Sequence, residues 1–319
     1  MNPLEAILAH NPLIILDGAL ATELERAGLN LDDPLWSAKV LLEAPEAIQA
    51  VHTSYLQAGA DCLITATYQA TYEQFRQRGL NDDEISNLMK LSVQLAVTAR
   101  DEFWADQANR HNRAKPIIAA SVGPYGAYLA DGSEYRGNYG LTEGELVDFH
   151  RQRLTTLADT DADIFAFETI PCLKEAQALT KLLSTFPEKV AWVSFSAKDD
   201  HHISSGESFS DCVHWLNDYP QIVAVGINCT APKHVLGLLS VAELVTSKPL
   251  IVYPNSGEDY DIEKRAWLEE PNQNDFAILA ASWYQAGASI IGGCCRTTPH
   301  DIQCVTNWAK LITDDRVSP

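Results

Sequence analysis

Basic residues are scarce in this chain. Lysine and arginine number 23 against 43 aspartates and glutamates, which gives a formal charge of −20 and a pI near 4.7. That balance argues against nucleic acid or an anionic membrane as a partner. An acidic surface serves solubility first and the steering of a cationic ligand second. Long apolar runs are also missing, and none reaches the roughly 18 residues of a membrane span. The opening residues Met1-Asn2-Pro3-Leu4-Glu5 lack the basic and apolar regions of a secretory leader, so a cytoplasmic location is expected. No Gly-x-Gly-x-x-Gly follows an early strand-like run and no P-loop occurs. A doubly wound nucleotide-binding sheet is therefore the weaker fold expectation. No His-x-His closes the first strand-like run, which weakens a zinc hydrolase reading.

What the chain does have is apolar periodicity. Hydrophobic residues make up 46% of 319, enough for a sizeable core. Eight strand-like runs recur, at 13–16, 62–66, 117–122, 164–167, 191–195, 222–227, 250–253 and 289–291. Most are continuous and rich in Ile, Val and Phe, as parallel strands buried on both faces require. Amphipathic helical patterns lie between them, for example at 45–56, 85–103 and 146–157. Two junctions nearly repeat: Tyr55-Leu-Gln-Ala-Gly-Ala-Asp-Cys and Trp283-Tyr-Gln-Ala-Gly-Ala-Ser-Ile. Gly59 and Gly287 stand where a helix C-cap needs a left-handed residue. Repeated helix–turn–strand units without a low-complexity linker predict one (β/α)8 barrel over residues 1–319.

In such a barrel the chemistry sits at the C-terminal ends of the strands. The runs end in Asp17-Gly18-Ala19, Thr67-Tyr68-Gln69, Gly123-Pro124-Tyr125, Glu168-Thr169, Asn228-Cys229-Thr230, Tyr253-Pro254-Asn255 and Cys294-Cys295-Arg296-Thr297. Seven cysteines are an odd count, a poor match to a disulfide framework. Cys229, Cys294 and Cys295 fall on the rim, where three thiolates with an open fourth position would hold a metal, with zinc the first choice. Residues adjacent on a regular strand face opposite ways, so Cys294 and Cys295 can share an ion only where the strand breaks, at Gly292-Gly293. Thr298, Pro299 and Asp301 read as the N-cap, first and third positions of a helix whose N-terminus would favour thiolates. Two other readings stay open: each cysteine as a small buried hydrophobe, and Cys294–Cys295 as a vicinal disulfide switch. Cys62, Cys172, Cys212 and Cys304 read as structural.

Among the acids, Asp17 and Glu168 need a cation or a donor if buried. They either anchor loops or grip a substrate ammonium, with Thr67 and the backbone N–H groups near Gly18 holding a carboxylate. His201 and His202 follow Asp199-Asp200 in what reads as a solvated polar loop. The loop 123–141 carries Tyr125, Tyr128, Tyr135 and Tyr139 and is either a lid that meets a cationic ligand or an aromatic segment packed on the rim.

Taken together, these segments resemble the homocysteine S-methyltransferases. The resemblance rests on Asp17-Gly18-Ala19, Glu168-Thr169-Ile170-Pro171, Gly226-Ile227-Asn228-Cys229-Thr230 and Gly292-Gly293-Cys294-Cys295-Arg296-Thr297. Gly123-Pro124-Tyr125-Gly126-Ala127 and Tyr253-Pro254-Asn255-Ser256-Gly257-Glu258 look like the branch that uses S-methylmethionine or S-adenosylmethionine. The resemblance implies a (β/α)8 barrel with one zinc ion on Cys229, Cys294 and Cys295, and a homocysteine pocket at Asp17, Gly18, Thr67, Glu168 and Asn228. It implies methyl transfer from a sulfonium donor to homocysteine, forming methionine. S-methylmethionine is the first expected donor and S-adenosylmethionine the second, with a betaine-type donor as the alternative. Tyr125, Tyr128, Tyr135 and Tyr139 become the candidate donor loop. Both substrates are small molecules, and a monomer or weak dimer is expected.

Overall fold

The computed structural model describes residues 2–9, 11–33, 35–111, 113–256, 260–261, 266–267 and 276–317. Of the segment that resembles the sulfonium-using branch, Gly257 and Glu258 lie outside the described residues.

Eight parallel strands form one sheet: β1 (Ile14–Ile15), β2 (Cys62–Ile64), β3 (Ile117–Val122), β4 (Ile164–Ile170), β5 (Ala191–Phe195), β6 (Ile222–Asn228), β7 (Leu250–Tyr253) and β8 (Ala288–Ile291). Each pairs with its sequence neighbour from β2 to β8, and β1 pairs with β8. A parallel bridge from Leu16 to Cys62 joins β1 to β2 and closes the ring. The expected (β/α)8 barrel is the observed fold. A short antiparallel pair, Tyr260–Asp261 with Ala266–Trp267, stands apart from it.

The strands are buried on both faces, so their sequences show no polar alternation. Inward residues such as Ile14, Ile117, Ile164, Trp192, Ile251 and Ile290 fill the barrel interior. Leu4 and Ile7 of the helix Pro3–Leu8 pack into the same interior cluster. Outward residues such as Ile15, Val193, Val225 and Val252 meet the surrounding helices in a second, larger layer. Those helices start on local signals. Asn81 and Glu84 form a reciprocal capping box for Asp82–Ala105, and Thr142 and Glu145 do so for Glu143–Ala158. Gly59 ends Pro45–Ala58 at φ 110°, and Gly287 adopts φ 95°, both left-handed as the repeated junction demands. Among the described residues no helix is long and apolar enough to cross a membrane.

Candidate metal centre and substrate cavity

Strand alternation fixes which rim residues face inward. Ala224 on β6 lies in the interior cluster, so Asn228 shares its face, while the regular alternation would turn the next residue, Cys229, outward with Val225 and Ile227. The backbone corrects this at Cys229 itself, which adopts φ +49°. On β8 the strand stops at Ile291, one residue before Gly292. A Cβ on Gly292 would stand 2.5 Å from Leu16 Cβ, and one on Gly293 would stand 2.2 Å from Thr297 Oγ1. Only glycine lets the chain leave the barrel so close to β1. Cys294 to Thr297 then close a turn, with Thr297 N donating to Cys294 O at 3.1 Å and Arg296 at φ +65°. The vicinal cysteines share one side because they are corner residues of a turn. The break therefore extends beyond the two glycines. Thr298 and Asp301 cap the helix Pro299–Val317 directly behind, with Thr298 N donating to Asp301 at 2.8 Å.

The outcome is a three-sulfur cluster. Cys229 Sγ lies 2.9 Å from Cys294 Sγ and 3.5 Å from Cys295 Sγ, and all three sulfurs lie within 4.8 Å of one another. Zn–S bonds of about 2.3 Å set tetrahedral S···S edges of roughly 3.8 Å, so sub-ångström spreading would seat a zinc-sized ion. Hydrogen bonds from Cys294 and then Cys295 hold the Cys229 thiol well below its usual range, with a further contribution from Tyr135. The same bond to Cys229 pushes Cys294 and Cys295 up. The donor set suits a soft or borderline metal. Because Cys229 bonds to both partners, the cluster is more than an isolated vicinal pair.

The cluster forms part of the wall of a cavity of about 990 Å³ that also takes in Asp17, Gly18, Glu168 and Asn228. Asp17 accepts from Ile64 N at 2.9 Å, and Ser121 Oγ donates to Glu168. Burial pushes the Glu168 carboxyl up to about 7 and Asp17 well above its usual range, and Asp17 is raised further by the facing Glu168. The Asn228 amide is fully engaged: its Oδ1 accepts from Thr169 N at 2.6 Å and Ser194 Oγ at 2.9 Å, and its Nδ2 donates to Thr169 Oγ1 at 2.8 Å. Ser194 Oγ in turn contacts the Tyr253 hydroxyl at 2.5 Å.

The cavity wall takes in some of the expected residues and leaves out others. Thr67 is fully buried and donates to Ser121 O at 2.7 Å; it does not line the cavity, where Thr65 and Ala66 stand instead. Of the four loop tyrosines only Tyr135 lines the cavity, with its hydroxyl 3.4 Å from Cys229 Sγ. Tyr125 makes a tilted contact with Tyr128 and edge-to-face contacts with Tyr139 and Phe149, so these rings pack against the helix Glu143–Ala158. Sequence reasoning missed Trp36, Tyr68 and Glu134. Trp36 and Tyr68 form an edge-to-face pair in the cavity wall, with ring centroids 6.2 Å apart. Trp36 opens the short 3-10 helix Trp36–Lys39, beyond the helix that follows β1 and away from any strand end, and Glu134 sits among the tyrosines that drew attention. The Glu134 carboxyl, largely buried, is pushed up to about 7. Its position beside Tyr135 was the available clue. Asp17, Glu25, Asp32, Asp33, Asp131, Glu134 and Glu168 all line the cavity, and no described lining residue is Lys, Arg or His.

The homocysteine S-methyltransferase family model matches residues 14–309. The chain belongs to the homocysteine S-methyltransferase family. It is 56% identical to the homocysteine S-methyltransferase YbgG of Bacillus subtilis, over 98% of this chain and 99% of that protein. A selenocysteine Se-methyltransferase of Brassica oleracea var. italica is 47% identical, over 91% of this chain and 87% of that one. The crystal structure of the metallated homocysteine methyltransferase MmuM from Escherichia coli matches with a TM-score of 0.87 at 46% identity, covering 96% of this chain and 99% of that one. The enzyme is thus a homocysteine S-methyltransferase, with the cysteine cluster and the acid-lined cavity on the catalytic rim of its barrel.

Proposed function

We propose that this methyltransferase moves a methyl group from a sulfonium donor, S-methylmethionine first and S-adenosylmethionine second, to the sulfur of homocysteine. Cys229, Cys294 and Cys295 would hold one zinc ion per chain. When bound, the metal keeps the homocysteine thiol deprotonated and nucleophilic near neutral pH. A new S–CH3 bond forms on homocysteine while the donor's S–CH3 bond breaks, and its electron pair stays on the departing sulfur as a thioether. With S-methylmethionine the products are two methionines and the proton lost by the thiol. No protein acid is needed, and alignment of the reactants supplies up to roughly 7–11 kcal/mol of the barrier.

The single observation that carries the reading is a thiolate cluster in the wall of a cavity lined by acids and, among its described residues, by no cation. Asp17 and Glu168 hold the homocysteine ammonium, which returns both buried carboxyls to their charged form. The Gly18 backbone takes the substrate carboxylate, in a place where a Cβ would stand 2.8 Å from Thr297 Oγ1 and 2.9 Å from the Tyr55 hydroxyl. Asn228 braces the rim through Thr169 and Ser194. The Trp36 and Tyr68 rings face the donor's sulfonium, each contact contributing about 0.5–2 kcal/mol. The acid-lined cavity favours a donor with net positive charge, as the amino-acid sulfoniums carry, over the net-neutral betaine. The same reading makes the enzyme a cytoplasmic monomer or weak dimer acting on small molecules, with neither nucleic acid nor membrane as partner.

The test is methionine formation from homocysteine with S-methylmethionine, S-adenosylmethionine and betaine side by side, on zinc-loaded protein. S-methylmethionine should give the highest kcat/KM. Turnover with betaine alone, or full turnover by metal-free enzyme, refutes the proposal.

A further inference from the structure

Among the seven acids that line the cavity, Asp17 and Glu168 have hydrogen-bond partners. Asp17 takes the Ile64 N–H, and Glu168 takes the Ser121 hydroxyl. Glu134 differs: its side-chain oxygen Oε2 is buried from solvent and meets no hydrogen-bond donor among the described residues. A buried, unpaired carboxylate oxygen is unfavourable, and a side-chain rotation into the cavity that Glu134 lines lets a ligand supply the missing donor.

Glu134 is also held firmly in place. It sits on the one-turn helix Ser133–Tyr135, entered through Gly132 at φ +81°. Its carbonyl accepts from Ser196 Oγ at 2.8 Å. Gly126 packs so closely beneath that a Cβ there would stand 2.4 Å from Glu134 N. The next residue, Tyr135, reaches Cys229. Glu134 therefore faces the part of the cavity next to the cluster, on the loop after β3, while Asp17 stands at the end of β1.

We propose that Glu134 binds the α-ammonium group of the methyl donor, and so makes an amino-acid sulfonium the preferred donor class. The inference rests on the sulfonium-donor reading and deepens it. A sulfonium centre has no N–H or O–H group and leaves an orphaned acceptor oxygen unsatisfied; an ammonium brings three donors. With Asp17 and Glu168 assigned to the acceptor substrate, the remaining ammonium belongs to the donor. Glu134 acts as a specificity-determining residue. It does not touch the migrating methyl group.

The experiment is steady-state kinetics of zinc-loaded wild type, Glu134→Gln and Glu134→Asp. Each is assayed with S-methylmethionine and with dimethylsulfoniopropionate, a sulfonium that lacks the amino group, as substrate or as competitive inhibitor. Glu134→Gln should raise KM for S-methylmethionine by about 10- to 100-fold, the scale of one charge-assisted hydrogen bond. KM for homocysteine and the constant for dimethylsulfoniopropionate should stay within about 2-fold, and Glu134→Asp should recover part of the loss. An unchanged KM for S-methylmethionine overturns the assignment. So does an equal loss for both sulfoniums or a parallel rise in KM for homocysteine. Failure of the wild type to methylate homocysteine from any sulfonium refutes the functional reading itself, whatever the variants do.

Discussion

Removing the Glu168 carboxyl should change how stability depends on pH, and the size of the change follows from the structure. Glu168 is buried at the end of β4, and burial raises its carboxyl from an ordinary 4.5 to about 7, despite the Ser121 hydroxyl that favours the charged form. A group whose folded pKa lies above its unfolded value stabilises the fold fully below the unfolded value, and the benefit is lost as pH rises through the folded one. For Glu168 that window runs from about 4.5 to about 7. Between pH 5 and pH 8 this one group therefore withdraws about 2–3 kcal/mol from the folded state. Glu168→Gln keeps the shape and cannot titrate, so the variant should gain on the wild type by that amount across the interval. For a chain of 319 residues this is a relative shift in Tm of about 4 °C.

Calorimetry of both proteins at pH 5 and pH 8, without homocysteine, reads it directly. Saturating homocysteine should flatten the wild-type slope, because the substrate ammonium pairs with the ionised carboxylate. Parallel pH profiles for wild type and variant would refute the claim that Glu168 is held as a desolvated acid, and with it the ammonium-binding role.

Cys295→Ser should lose zinc and activity together, read by metal analysis and methionine formation on the same sample. Gly293→Ala puts a methyl group 2.2 Å from Thr297 Oγ1, so it should cost about 1–3 kcal/mol of stability and reduce zinc occupancy, measured by denaturant titration and metal content. Tyr135→Phe removes the hydroxyl beside Cys229 and should lower kcat/KM, while Tyr128→Phe, outside the cavity wall, should leave it within about 2-fold.

The barrel was readable because its strands are apolar on both faces and its helices carry explicit punctuation. The runs read at β3, β5 and β7 match the observed strands residue for residue. β4 runs on to Ile170, because Ile170 still pairs with Phe195 beyond a register irregularity; its polar Glu168 and Thr169 look like a loop in sequence. The cysteines were readable as a group, since three thiols at one rim have few structural uses. The loops were not. Spacing does not tell which ring of a tyrosine-rich loop turns inward, and three of the four pack against Phe149 or its neighbours. Trp36 and Glu134 reach the cavity through left-handed backbone at Trp36 and Gly132, a signal that residue type alone does not carry.

Backbone strain makes the final link between cluster and fold. Among the described residues five non-glycines have positive φ: Trp36, Ala130, Thr169, Cys229 and Arg296. The first four line the cavity, and Arg296 follows Cys295 directly. Thr169 and Cys229 stand at the ends of β4 and β6, where each conformation re-aims a rim side chain. A left-handed conformation costs about 1–2 kcal/mol per residue outside glycine, so the rim carries several kcal/mol of strain. The barrel beneath it over-determines these conformations, and a ligand that bridges β6 and β8 through the three sulfurs adds a restraint at two of them, on Cys229 itself and beside Arg296. Metal removal by a chelator should therefore lower Tm by several degrees, and zinc should restore it in a concentration-dependent way. Cys295→Ser should be insensitive to both treatments. If chelation leaves the wild-type Tm unchanged, the three sulfurs do not hold a stabilising ion, and the strain at Cys229 is sustained by the barrel alone.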